Sequence, residues 1–123
     1  MTEEQLALRA RIFAGFAETA APPDLPDTPD LRALADQHVV VLDEAGRIAA
    51  AHPFAAEGPH TTTVRAGDRA WFGSCAWDGL GIAAALGLEG AHVVDAGGVD
   101  AHEAAFFHVA VPARQWWDDI AFT

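Results

Sequence analysis

The chain has 123 residues, 51% of them hydrophobic, and carries 18 acidic against 7 basic side chains, for a net charge of −11. That length suits one compact domain rather than two, the apolar content rules out disorder of the whole chain, and the charge repels phosphate backbones, so nucleic acid is excluded as a partner. A single cysteine excludes an intramolecular disulfide and any zinc site of the two-Cys or four-Cys type.

The N-terminus, MTEEQLALRA, is acidic where a secretory signal is basic, and no apolar run approaches the roughly 18 residues that span a bilayer. A soluble, cytoplasmic protein without a membrane partner is expected. Residues 2–19 place Leu6, Ala10, Ile12, Phe13 and Phe16 at helical spacing, with Glu3 and Glu4 in the first turn, where the helix dipole favours acids. Prolines and aspartates over 21–30 end that helix. Thr28 as N-cap and Pro29 at the first helical position then start a short second helix through Ala35.

Residues 39–42 and 47–51 flank the turn Asp43-Glu44-Ala45-Gly46 and predict a β-hairpin that His52-Pro53 ends. Two helices before a hairpin suggest a winged-helix remnant, but the acidic charge argues against DNA binding, so this segment is read as packing. Strands follow at 61–65 and 69–72 around the turn Ala66-Gly67-Asp68. Ser74 is placed to cap a helix over 75–86, which Gly87 and Gly90 terminate. Further strands are expected at 91–94 and 105–111, with Pro112 ending the last and a tail holding Trp116, Trp117 and Ile120.

The elements add up to an α+β fold: N-terminal helices followed by a small mixed or antiparallel sheet packed on one central helix. Residues 1–37 form the helical segment and 38–123 the α+β core. The expected core is Trp71, Phe72, Trp77, Leu80, Ile82, Leu86, Val93, Phe107, Val109 and Val111, with Trp77 packing rather than contacting a ligand.

Chemistry concentrates in Gly73-Ser74-Cys75-Ala76-Trp77-Asp78. A cysteine opening a helix lies beside unpaired N–H groups and the positive end of the dipole, which favour the thiolate. That thiolate would be a nucleophile and a soft-metal ligand. Asp78 shares its face one turn on, and a carboxylate beside a thiolate is expected to hold its proton more tightly and so to deliver one. A soft ligand next to a proton donor suits cleavage of a carbon–metal bond. The plainer reading has Cys75 as a small buried hydrophobe and Asp78 as a first-turn acid serving only the dipole. Spacing alone does not choose between them.

The wider string Gly67-Asp68-Arg69-Ala70-Trp71-Phe72-Gly73-Ser74-Cys75-Ala76-Trp77-Asp78 resembles the core motif of the alkylmercury (organomercurial) lyases, a Gly-Arg turn and an aromatic strand before Cys-Ala-x-Asp at a helix start. Val41-Leu42-Asp43-Glu44-Ala45-Gly46-Arg47-Ile48 and Ala51-His52-Pro53-Phe54 are similar to the hairpin that precedes it there. Phe107-His108-Val109-Ala110-Val111-Pro112 and Trp116-Trp117-Asp118-Asp119-Ile120 resemble a later segment. The likeness runs from about Leu31 to the end, and residues 1–30 match only as a helical lead-in.

The resemblance implies an alkylmercury lyase-like fold and cofactor-free protonolysis: thiolates take the mercury of an organomercurial and an aspartate protonates the departing carbon, leaving a hydrocarbon and Hg(II). On that pattern Cys75 is the mercury ligand and Asp78 the proton carrier and second contact to the metal. The family's second cysteine falls in a strand after the segment that matches Ala121-Phe122-Thr123, and these 123 residues hold no counterpart to it. An external thiol is the expected substitute, because mercury holds two soft ligands strongly and one sulfur with one carboxylate more loosely. His52, His60, His92, His102 and His108 show no i, i+4 ligand spacing, and His60 is the best outside donor. On the resemblance, the strands that complete the family's sheet fall after Thr123, so an open edge is expected near 106–111, covered either by the tail or by a second copy of the chain in a homodimer. The alternative function is a non-catalytic protein of the same fold that binds a soft metal or a thiol-reactive small molecule.

Overall fold

A computed structural model describes residues 1–99. Their element order is α1 (Glu3–Thr19), α2 (Pro29–Asp36), β1 (Val41–Leu42), β2 (Ile48–Ala51), β3 (Phe54–Ala55), β4 (Thr62–Ala66), β5 (Arg69–Gly73), α3 (Ala76–Ala85) and β6 (His92–Val94). The fold is α+β. Instead of one sheet, the described strands form two three-stranded antiparallel sheets, ordered β1-β2-β3 and β5-β4-β6. The expected strand over 105–111 and the tryptophan tail lie outside the described residues.

The helix starts follow local chemistry. Thr2 and Gln5 form a reciprocal capping box on α1, and the Thr28 hydroxyl accepts from the Leu31 amide with Pro29 in the first turn of α2. The apolar face of α1 seats Ile12 and Phe16 in the core, where the Phe16 ring stacks on Phe54 at 5.6 Å and Phe13 meets the same ring edge-on at 6.3 Å.

One fastening is supplied from a distance. No basic residue stands in the last turn of α1, so its terminal carbonyls find donors on β5: Arg69 donates to the carbonyls of Ala17 and Glu18 at 3.0 Å each, and the Trp71 indole N–H donates to Ala17 at 2.9 Å. The Arg69 guanidinium also lies 4.5 Å over the Trp71 ring. Because Arg69 itself is exposed, Arg69→Ala is expected to lower unfolding free energy by only about 1 kcal/mol, read as a modest drop in the urea midpoint at unchanged m-value.

In the second sheet, β4 pairs β5 from Thr62↔Gly73 to Ala66↔Arg69 and pairs β6 from Thr63↔Val94 to Arg65↔His92, all antiparallel. Both neighbours of β4 therefore run the same way, and α3 is the crossover between them, lying over β4. Gly79 makes that close approach possible. A Cβ there would stand 2.6 Å from Val93 Cγ1 and 2.8 Å from Thr62 Cγ2.

Trp71, Ile82 and Val93 are buried as expected, while Phe72, Leu80 and Leu86 are half-buried. Trp77 is not core: it is 54% exposed, because the face of α3 that meets the sheet belongs to Gly79 and Ile82. Phe107, Val109 and Val111 lie outside the described residues. The interior extends well beyond the expected core residues, drawing Ile12, Phe16, Leu31, Leu34, Val40, Ala51, Phe54 and Val64 into one cluster with the sheet residues. No described helix is long and apolar enough to cross a membrane.

Candidate functional site

Three segments converge at the start of α3. Strand β5 ends at Gly73, Ser74 is exposed, and Cys75 takes the N-cap position with extended backbone at φ −155° and ψ 174°. The helix therefore begins one residue later than the expected Ser74 cap implies, with the Cys75 carbonyl accepting the first helical bond from the Gly79 amide at 3.0 Å. The third segment is the two-residue turn His52-Pro53 between β2 and β3, whose strands pair through Ala51↔Phe54. The expected hairpin ends at this dipeptide; the chain instead reverses there and adds β3.

The turn is pressed against α3 because glycines line the seam. A Cβ on Gly73 would meet Asp78 Cβ at 3.1 Å and the Pro53 carbonyl oxygen at 3.2 Å, and one on Gly81 would touch Pro53 Cβ at 3.5 Å. That contact brings His52 Nδ1 to 3.3 Å from Asp78 Oδ2, with the two side chains 29% and 17% exposed. Both expected site residues thus share one end of α3, and a histidine from 26 residues upstream joins them. His60, favoured from sequence as the outside donor, is exposed in the turn before β4.

Cys75 is a free, exposed thiol. Its side chain makes no capping hydrogen bond, and its pKa moves opposite to the sequence expectation. Loss of water around the sulfur is the largest influence and raises it; the Asp78 carboxyl raises it further by charge and hydrogen bonding, while the amides of Asp78 and Trp77 pull it down without prevailing. The helix terminus therefore does act on the sulfur as expected, but the surrounding protein and the neighbouring acid outweigh it. At neutral pH the site presents a thiol.

Among the described residues no three His, Cys, Asp or Glu side chains are grouped so as to hold a metal ion. Cys75 and Asp78 offer two donors of different softness, which suits an incoming electrophile that brings its own second ligand better than a resident cation. The surface depressions lined by Asp27, Pro29, Arg32 and Asp36 and by Pro23, Leu25, Arg47 and Ile48 do not include this cluster. What the arrangement can do is narrow: an accessible sulfur attacks or ligates, and a half-buried carboxyl beside it, already engaged by an imidazole, gives or takes a proton. Compared with known proteins, the chain matches no family model, no curated protein and no solved structure.

Proposed function

We propose that the protein is an organomercurial lyase-like enzyme of the cytoplasm, in which Cys75 captures the mercury of R–Hg–X and Asp78 protonates the carbon. One observation carries the reading: an accessible thiol and a half-buried carboxyl are neighbours at the first turn of the same helix, inside a string that resembles the lyase motif.

Capture exchanges ligands: X leaves as its anion, the sulfur binds R–Hg, and the Cys75 proton passes to the neighbouring Asp78 carboxylate. Asp78 then gives its proton to the carbon, the C–Hg pair becomes the new C–H bond, and Hg(II) stays on the sulfur. An external thiolate takes the second position on mercury and draws the product off. No cofactor enters this scheme. A second copy of the chain, paired through the sheet, is the proposed partner.

A second reading, a binding protein of the same fold without turnover, is favoured by the single cysteine, since one sulfur with one carboxylate holds and polarises the carbon–mercury bond less than two thiolates. Incubation with phenylmercuric acetate and excess thiol, followed by gas chromatography for benzene, separates the two. Benzene from the wild type but none from Cys75→Ser supports the lyase. A phenylmercury adduct in the mass spectrum with no benzene supports binding alone. Neither adduct nor benzene rejects both.

A further inference from the structure

We infer that His52 is a positioning residue for the proton-delivering carboxyl of Asp78, an inference that rests on the lyase reading above. Asp78 is confined on two sides: by Gly73, where even one added carbon would crowd Asp78 Cβ, and by the His52 ring, whose Nδ1 stands 3.3 Å from Oδ2. The backbone that carries the ring is held in place. His52 and Pro53 are the whole of the β2–β3 turn, the flanking residues Ala51 and Phe54 are buried, and Pro53 abuts Gly73 and Gly81.

A first-turn aspartate without such a partner samples several rotamers and turns freely about its terminal bond. With Nδ1–H donating to Oδ2, the acid proton is carried by Oδ1, and the carboxyl presents one oxygen rather than two toward the metal-bound carbon. Delivery leaves the charge on a carboxylate that still accepts from Nδ1–H, so the hydrogen bond present before the transfer strengthens as the negative charge develops. His52 touches neither mercury nor carbon in this scheme. Its effect runs through Asp78.

Two measurements test the inference. The first is the tautomer of His52 from long-range proton–nitrogen correlation, recorded where the ring's own nitrogen shifts show it neutral. Wild-type protein should carry the proton on Nδ1, and Asp78→Ala should release it toward Nε2. The second compares three variants in capture and in single-turnover benzene release from phenylmercuric acetate. In His52→Asn the side-chain amide nitrogen falls near the place of Nδ1, whereas in His52→Gln it falls near that of Nε2.

All three variants should form the phenylmercury adduct as the wild type does. Release should slow about tenfold or more in His52→Ala and His52→Gln and stay within about threefold of wild type in His52→Asn. A purely structural role would instead lower capture and release together, with no rescue by asparagine. An Nε2–H tautomer in the wild type, or unchanged release in His52→Ala, overturns the inference. Wild-type protein that holds phenylmercury without releasing benzene, with the proton still on Nδ1, overturns the lyase reading while the His52 hold on Asp78 stands.

Discussion

Replacing Gly79 by alanine should destabilise the protein by about 1–2 kcal/mol, although the same change in an ordinary helix interior stabilises it. The added Cβ would stand 2.6 Å from Val93 Cγ1 and 2.8 Å from Thr62 Cγ2, closer than real carbons approach. Both obstructing atoms belong to short β-branched side chains that have few ways to retreat, and Thr62 and Val93 are buried. Overpacking of this kind costs about 1–3 kcal/mol, more than the up to about 1 kcal/mol that alanine gains over glycine in helix propensity.

Gly81 is the internal control, two residues along the same helix. The nearest atom to its added carbon is Pro53 Cβ at 3.5 Å, an ordinary contact. Gly81→Ala should therefore stabilise by about 0.5–1 kcal/mol. Opposite signs in urea or thermal unfolding are expected; a loss of similar size at both positions would refute the close seating of α3 on β4.

Asp78→Asn should move two reactions of Cys75 in opposite directions. The carboxyl raises the thiol pKa both by its charge and by hydrogen bonding. Without that charge the thiolate fraction at neutral pH increases, and alkylation by iodoacetamide should quicken several-fold. In the wild type the rate should still be climbing above the pH at which a free cysteine levels off, and the variant's profile should lie at lower pH. Benzene release from phenylmercury should meanwhile fall by about 10²–10⁴, the usual contribution of a placed proton donor. A variant that alkylates faster and also releases benzene at the wild-type rate would remove Asp78 from the chemistry.

Much of the local structure was legible because its causes are local. Thr28 and Pro29 announce α2, the glycine at 46 with φ +79° closes the turn after Asp43, and the Asp43 carboxylate accepts from the amides of Ala45 and Arg47 at 2.9 Å each. Those bonds, the one from Arg47 first, also hold the Asp43 pKa below the usual carboxylate value. The two-residue strand β3 carries too little pattern to be read, and its existence depends on pairing with β2. Trp77 looked apolar enough for the core, yet a helix can bury only the side that meets the sheet, and glycine at 79 gave that side to its neighbours' side chains.

The sequence by itself determined the starts of α1 and α2, the turns at 43–46 and 66–68, the α+β class and the placing of a cysteine and an aspartate together at one helix end, because each depends on residues within a turn or two of one another. Tertiary structure decided that the strands divide into two sheets, that His52 rather than His60 stands against Asp78, and that the Cys75 thiol is held up rather than down. These outcomes turn on distances between segments far apart in the chain and on how much water the packed fold removes from one sulfur, quantities that residue order expresses only after the chain has folded.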